Sequence, residues 1–157
     1  MSILQAQDWY HTAVIVPDVE EAMARLTHLA GHAWMMPVEH PVPVWSNDGE
    51  ATVTLRMVYS QAEPGDPRLE LIQEVPGTTW ARSPGSAIHH VGYFVDDLQA
   101  SSQALVDEGV PLEVCGCMGP TRPAGFAYHL TPEGLRIEVV RRSVLQEMEQ
   151  LMERQGR

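Results

Sequence analysis

The chain has 157 residues, of which 44% are hydrophobic and 20% charged, a balance typical of a single globular domain. Its formal net charge of −11 at pH 7 argues against nucleic acids and anionic membranes as partners, because both are negatively charged. No apolar run is long enough to cross a membrane, the first residues lack a secretion signal, and Cys115 and Cys117 are too close for an easy disulfide, so we expect a cytoplasmic protein.

The first half of the chain predicts one strand, one helix and then further strands. Residues 9–16 are rich in β-forming side chains, and Asp18 with Glu21 three positions later has the spacing of a helix N-cap. Gly31 is placed to end that helix. The apolar positions on one face of the helix are Val19, Ala22, Met23, Leu26 and Leu29. The extended stretches that follow are residues 33–38, 41–45, 51–59 and 68–73.

The second half repeats this order of elements after a connector rich in proline and glycine, residues 76–87. Asp97 is again a helix N-cap, and Gly109 is placed to end the helix. The predicted elements are a strand at 88–95, a helix at 98–108 and strands at 112–115, 126–130 and 135–140. Residues 131–134 have the composition of a turn between the last two strands.

The last segment, residues 142–157, predicts a helix between positions 143 and 154. Its apolar residues fall along one side of that helix, at Val144, Met148, Leu151 and Met152. This side could pack on the chain's own sheet or contact a second copy of the chain. The sequence leaves both possibilities open.

The equal spacing of the two halves indicates an internal duplication. Four pairs of residues are each 79 positions apart: His11 and His90, Asp18 and Asp97, Val19 and Leu98, and Leu26 and Leu105. Glu70 and Glu138 are 68 positions apart, so the loops of the second copy are shorter by 11 residues. The sequence therefore predicts two βαβββ modules, residues 9–75 and 88–141.

Each copy carries one histidine at its start and one glutamate near its end. The first copy begins at His11 and closes around Glu70, and the second begins at His90 and closes around Glu138. Imidazole and carboxylate suit Fe, Ni, Co, Mn or Zn, and two carboxylates neutralise a divalent ion. The duplication therefore predicts one divalent metal ion, with coordination positions left for water or two substrate oxygens.

These features resemble the vicinal oxygen chelate superfamily, which includes glyoxalase I, methylmalonyl-CoA epimerase, extradiol dioxygenases and bleomycin-resistance proteins. The resemblance covers about residues 9–141 and rests on the two module starts, the Asp-capped helices and the two closing strands. It implies an α+β fold in which two tandem βαβββ modules form a curved sheet around a metal-binding cleft. It also implies that the metal ligands are His11, Glu70, His90 and Glu138.

The methylmalonyl-CoA epimerase-like branch is the most similar, through the run at 89–97 and the connector with Trp80. The resemblance implies a metal-dependent isomerase, epimerase or lyase that moves a proton alpha to a carbonyl through a metal-stabilised enediolate. It implies a small-molecule substrate with adjacent oxygens and a homodimer. Glyoxalase I-like chemistry is also compatible with the four ligands, and there Glu138 or Glu70 would serve as the base. This chain departs from that branch on the third strand of the first module, where a proton-transfer glutamate is replaced by Thr52, Thr54 and Arg56.

Two neighbouring residues on the strand before Glu138 are further candidates for an acid or base. Tyr128 and His129 point to opposite faces of that strand, so one of them should face the cleft. A four-residue turn at 131–134 would pair Ala127 with Glu138 and turn His129 inward, whereas a slip of one residue would turn Tyr128 inward. Both registers remain open from the sequence.

Two alternatives differ from an isomerase or lyase. The segment 128–138 resembles half of the extradiol dioxygenase signature, and His11, His90 and Glu138 could then bind iron for ring cleavage. The other alternative is a metal-free binding protein that sequesters a small molecule or drug. Its cavity would be lined by large apolar side chains, namely Trp34, Trp45, Trp80, Met35 and Met36.

Overall fold

The computed structural model describes residues 2–155, and within its last helix it describes only the backbone at positions 145, 148, 151, 152 and 155. A 3-10 turn, Ala6–Asp8, precedes the first strand. The helices are α1 (Val19–Ala30), α2 (Leu98–Asp107) and α3 (Arg142–Gln155). The strands are β1 (Trp9–Val16), β2 (Val38–Ser46), β3 (Gly49–Tyr59), β4 (Arg68–Gln73), β5 (Ile88–Val95), β6 (Leu112–Gly116), β7 (Phe126–Leu130) and β8 (Arg136–Arg141).

The eight strands close into one barrel in the order β1-β4-β3-β2-β6-β7-β8-β5. The first and last strands of each module are parallel neighbours, β1 with β4 and β5 with β8. The modules meet at two antiparallel seams, β1 with β5 and β2 with β6. The predicted α+β fold with a curved sheet is confirmed, and because the sheet closes, the starts of both modules lie side by side.

Most of the predicted strands are confirmed, and β1, β4, β5 and β7 match to the residue. The strand predicted at 33–38 is wrong. Of residues 33–37, only Trp34 pairs with another residue, in an isolated β-bridge to Ser60, and β2 begins at Val38. The strand predicted at 41–45 is confirmed within β2, which runs through Pro41 and Pro43. Proline fits there because β6 pairs with β2 only from Val44 onward, so this part of β2 has β3 as its one neighbour.

The apolar core has one part inside the barrel and two outside it. Inside the barrel, buried side chains such as Leu55 pack against one another. Outside, α1 packs on the sheet around Val16 and Val19, and α2 packs around Val95 and Leu98, at positions again separated by 79. Both helices therefore use the same positions of the repeat to hold the barrel from outside.

The two predicted helix faces have different outcomes. The apolar face of α1 is buried or half-buried from Val19 to Leu26, whereas residues 27–30 are exposed and Leu29 itself is 70% exposed. The last helix is confirmed as α3, and its Glu149 accepts a hydrogen bond from Arg68 of β4 at 2.7 Å. On its predicted apolar side Val144 is half-buried, and the side chains outside the described residues are Met148, Leu151 and Met152. Among the described residues, no helix combines the length and the hydropathy needed to span a bilayer.

Both module helices begin with the predicted aspartate cap. The Asp18 carboxylate accepts a hydrogen bond from the Glu21 backbone N–H at 2.8 Å, and Asp97 accepts one from the Ala100 N–H at 3.0 Å. Gly31 ends α1 with φ of 72°, a left-handed conformation that favours glycine.

We expect Asp18→Ala and Asp97→Ala each to lower the free energy of unfolding by about 1 kcal/mol, because each leaves one N–H of a first helical turn unpaired. Urea unfolding followed by circular dichroism measures the effect. Asp18→Asn and Asp97→Asn retain a capping oxygen and should stay near wild type. An asparagine variant as unstable as its alanine counterpart would contradict the capping role.

Candidate metal centre

The tetrad consists of the four predicted metal ligands, His11, Glu70, His90 and Glu138. Strand pairing brings them together in two rows. Ala13 of β1 pairs with His90 on one side and with Glu70 on the other. Gly92 of β5 pairs with His11 and with Glu138. Since directly paired residues point to the same face of a sheet, all four side chains enter the barrel together.

The donor atoms of the tetrad converge inside the barrel and lie within 4.8 Å of one another. The Nε2 atom of His11 is 3.0 Å from Glu70 Oε2 and 3.1 Å from Glu138 Oε2. The Nε2 atom of His90 is 3.3 Å and 3.2 Å from the same two oxygens, and the two Nε2 atoms are 2.7 Å apart. All four residues belong to one chain, so this donor set needs no second copy.

Burial and mutual attraction set the charges of the tetrad. Burial alone would lower the pKa of His11, but the carboxylates of Glu70 and Glu138 outweigh it and raise this pKa to about 9. The same balance raises the pKa of His90. Burial would raise the pKa of each carboxyl, but the two imidazoles hold both values below the usual range. The carboxylates are therefore ionised at neutral pH and attract positive charge.

The tetrad fits a divalent transition-metal ion by geometry and by chemistry. Ligands bound about 2.1 Å from one ion at right angles lie about 3 Å apart. The separations between imidazole nitrogens and carboxylate oxygens, 3.0 to 3.3 Å, are close to this value. Two carboxylates would balance a double positive charge, and imidazole with carboxylate suits the metals predicted from the sequence. The cluster could therefore hold one such ion.

Two β-bulges lie beside the histidines, one on each strand of the seam. The pairing of β1 with β5 skips Tyr10 on one strand and His89 on the other. These two residues are 79 positions apart, so the duplication preserves the bulges as well as the ligands. A bulge re-aims a side chain that strict alternation would send to the opposite face. The Tyr10 ring consequently lies 4.3 Å from the His11 ring, and the His89 ring 5.1 Å from the His90 ring.

His89 contacts His90, whereas strict alternation predicts that it faces away. Its Nδ1 is 2.8 Å from His90 Nδ1, and its Nε2 is 2.7 Å from the Thr79 carbonyl oxygen. Because a carbonyl can only accept, His89 Nε2 carries the proton, and His89 Nδ1 accepts from His90 Nδ1–H. Burial lowers the pKa of His89 to about 4, aided by the charges of His90 and Arg136, so His89 is neutral. This chain of hydrogen bonds leaves His90 Nε2 to face the carboxylates.

Tyr128 faces the cleft. Of the two registers that the sequence left open, the structure has the one that is shifted by one residue from a four-residue turn. Leu130 pairs with Arg136, and Tyr128 therefore pairs with Glu138. The loop between β7 and β8 has five residues rather than four, and the Thr131 N–H donates across it to the Leu135 carbonyl at 2.9 Å. The Tyr128 ring lies 4.8 Å from the His90 ring.

His129 is on the opposite face, so its predicted position in the cleft is wrong. Its Nδ1 lies 3.0 Å from the Val110 carbonyl oxygen, and its Nε2 lies 2.9 Å from the hydroxyl of Ser102 on α2. His129 shares this face with Ala127, because residues two positions apart on a strand point the same way. Ala127 packs in the apolar core beneath α2. His129 therefore joins the helix to the barrel and cannot reach a substrate beside the tetrad.

Gly92 is a functional position that the sequence analysis missed. A Cβ atom at this position would lie 2.0 Å from Cε1 of His11. The corresponding position of the first module is Ala13, which pairs with His90. Gly92 lies within a strand that is otherwise rich in β-forming residues. Such a glycine could have indicated that another group, here the His11 ring, lies against the backbone.

We expect Gly92→Ala to lower the free energy of unfolding by about 1–3 kcal/mol, because the fully buried His11 ring cannot move away from the added methyl group. Urea unfolding of the metal-free protein measures this. Ala13→Gly is the matched control across the seam; it creates no clash and should cost about 0.5–1 kcal/mol. A Gly92→Ala variant as stable as wild type would show that His11 does not occupy this space.

Residues 10–128 match the family model described as the Glyoxalase/Bleomycin resistance protein/Dioxygenase superfamily. No curated protein matches the chain significantly in sequence. Among solved structures, methylmalonyl-CoA epimerase from Mycobacterium tuberculosis has a TM-score of 0.59 at 17% identity, covering 90% of each chain. A Streptomyces coelicolor methylmalonyl-CoA epimerase variant in complex with 2-nitronate-propionyl-CoA has a TM-score of 0.58 at 15% identity, covering 85% of this chain and 96% of the other.

A third similar structure is a methylmalonyl-CoA epimerase in complex with methylmalonyl-CoA and NH4+, with a TM-score of 0.58 at 15% identity, covering 87% of this chain and 96% of that one. At such identities these three likenesses show a shared fold alone. The family model, in contrast, matches most of the chain, from β1 of the first module into β7 of the second. The chain therefore belongs to the glyoxalase, bleomycin resistance protein and dioxygenase superfamily, the vicinal oxygen chelate group that its sequence resembles.

Proposed function

We propose that the protein is a metal-dependent isomerase, epimerase or lyase that moves a proton next to a carbonyl group of a small molecule with adjacent oxygens. The observation that carries this proposal is the convergence of four buried donors beside a cavity inside the barrel. A divalent ion bound there would polarise the carbonyl and acidify the neighbouring C–H bond. The side chains of the protein would bind and orient the substrate and would move the proton.

Glu138 is our first candidate for the base, and Glu70 the second. Both carboxylates line the cavity, and the Glu138 side chain is 11% exposed against 4% for Glu70. The imidazoles keep the pKa of Glu138 below its usual range, so it is ionised and able to accept a proton. A substrate held in the cavity would present its acidic C–H bond to this carboxylate, which could return the proton to the same or a neighbouring atom.

Tyr128 is suited to donate a hydrogen bond to the substrate oxygen on which negative charge develops. Its own oxygen accepts a hydrogen bond from Trp80 Nε1 at 3.1 Å, so the Tyr128 proton remains available to the cavity. Burial raises the pKa of Tyr128 well above its usual value, and the charges of Glu138 and Glu70 add to this effect, so the phenol stays protonated. Trp80 is itself almost fully buried and fixes the orientation of the phenol.

The geometry favours proton transfer over the two alternatives. His11 Nε2 is nearly equidistant from the carboxylates of Glu70 and Glu138, so both belong to the donor set. Extradiol ring cleavage needs only two histidines and one carboxylate, with open positions on iron. For metal-free sequestration, Trp34 was one of the candidate residues, but it lines a surface groove separate from the cavity, together with Met35 and Met36.

We expect the purified protein to contain about one divalent metal ion per chain, and Glu138→Gln and His90→Ala each to lose proton-transfer activity by at least about 100-fold. The activity can be measured by NMR as deuterium exchange next to the carbonyl of small hydroxyketones and diketones. Metal content is measured by elemental mass spectrometry without chelators.

Glu133→Gln and His28→Ala are matched controls, because both residues are exposed and lie outside the tetrad. They should keep both the metal and the exchange activity. Wild-type protein that binds no divalent ion, or exchange that survives in both tetrad variants, would overturn the proposal.

We expect His89→Ala to weaken divalent metal affinity by about 10- to 100-fold, because His90 then loses the partner that orients its ring. Competition with a coloured chelator measures the affinity. His89→Asn, whose amide can both accept from His90 and donate to Thr79, should recover part of it. His129→Ala removes another buried histidine, one that contacts α2, and should leave the affinity unchanged. Equal affinities for His89→Ala and wild type would contradict the orienting role.

A further inference from the structure

The cavity next to the tetrad is small and largely apolar. Its volume is about 240 Å³, below the range of about 300–1,000 Å³ that is usual for pockets holding drug-sized ligands. At about 30 Å³ per water molecule, this is the volume of about eight water molecules, so the cavity suits a small compound. Its wall above the carboxylates is formed by Val42, Leu55, Met57, Phe126, Tyr128 and Val140.

Among the described residues, the cavity also lacks a permanently charged cationic side chain that could pair with an anionic substrate. The chain has ten arginines, seven histidines and no lysine. Among the described residues, no arginine lines this cavity. Four of the arginines are paired with carboxylates elsewhere: Arg56 with Glu20, Arg68 with Glu149, Arg136 with Glu113, and Arg142 with Asp8 and Asp96. Arg122, in the loop after β6, lies over the Trp45 ring at 4.4 Å.

The carboxylates that line the cavity are Glu70 and Glu138, and the one histidine among its described lining residues is His40, which is exposed on β2. A divalent ion balances the two carboxylates and leaves little positive charge for a third anion. A carboxylate or phosphate on the substrate would therefore lose its hydration among apolar side chains without a guanidinium or ammonium partner. A phenyl ring or an alkyl group would instead gain from contact with the same wall.

We propose that the substrate is a small, uncharged carbonyl compound with an apolar or aromatic body, and not an anionic ester such as a coenzyme A thioester. This inference rests on the proposed function and narrows it to one substrate class. The metal centre would bind the two adjacent oxygens, and the apolar wall would select the rest of the molecule by size and by absence of charge.

Three hydroxamic acids with the same metal-chelating group test this directly on protein loaded with Co²⁺ at pH 8. Acetohydroxamic acid has a methyl group in place of a ring, benzohydroxamic acid adds an uncharged phenyl ring, and 4-carboxybenzohydroxamic acid adds a carboxylate to that ring. The change in the cobalt absorption spectrum reports binding. We expect benzohydroxamic acid to bind at least about tenfold more tightly than either of the others.

Binding of the carboxylated compound as tight as that of benzohydroxamic acid would overturn the substrate class, while leaving the metal centre and the proposed function in place. If none of the three changes the cobalt spectrum, the proposed function fails together with this inference. The two failures are therefore distinguishable in one experiment on the wild-type protein.

Val42→Arg should reverse the preference, because Val42 is half-buried in the cavity wall and an arginine there would meet the added carboxylate. Thr54→Arg is the matched control, since Thr54 is exposed on β3 between the inward-facing Val53 and Leu55. It should leave the wild-type order unchanged, and melting temperatures show whether each variant is folded. A folded Val42→Arg variant with the wild-type order would contradict the inference, and the wild-type comparison decides it even if this variant does not fold.

Discussion

Two glutamates, Glu70 and Glu138, lie side by side within a barrel whose interior is otherwise mainly apolar and aromatic. Each has lost most of its hydration, and the two negative charges repel, so both are stable there only with positive charge close by. In the chain itself that charge is shared by the His11 and His90 imidazoles, whose pKa values the carboxylates raise against the effect of burial, and a divalent ion would supply it in their place. The rest of the site can be understood as the means of bringing carboxylates and imidazoles to one point.

The closed barrel does this because its first strands are neighbours. β1 and β5 each begin a module, and each also lies beside the last strand of its own module. Four strands with one donor each therefore lie in sequence across the sheet, and both rows of the tetrad cross them. A duplication that had joined the modules through other strands would have separated the histidines. The position of the site thus follows from the topology, before any particular side chain is considered.

Much of this could be predicted from the sequence because it depends on features that repeat or alternate. The spacing of 79 residues links His11 with His90 and Asp18 with Asp97, and it identified the modules and two of the donors. The β-forming stretch at 51–59 predicted most of β3, and the aspartate caps located the helices. Each of these features depends on residues close together in the sequence or on the repeat spacing, and the barrel does not change them.

The remaining features depend on single-residue details of pairing. The choice between Tyr128 and His129 depended on whether the β7–β8 loop has four or five residues, which composition does not reveal. Strict alternation placed His89 on the wrong face because a bulge has no sequence signature of its own. Pro41 and Pro43 fit within β2 because β6 pairs with this strand only from Val44 onward, and composition does not reveal where that pairing begins.

The two bulges have a further consequence for the orientation of a ligand in the site. The tetrad alone has near twofold symmetry, so a ligand could approach it equally well in either of two opposite orientations. The bulge residues break that equivalence, since Tyr10 presents a phenol to the cavity, whereas His89 is bonded to the protein backbone. The two repeated modules therefore form unlike halves of the site, and a ligand bound in one orientation meets different side chains from a ligand bound in the opposite one.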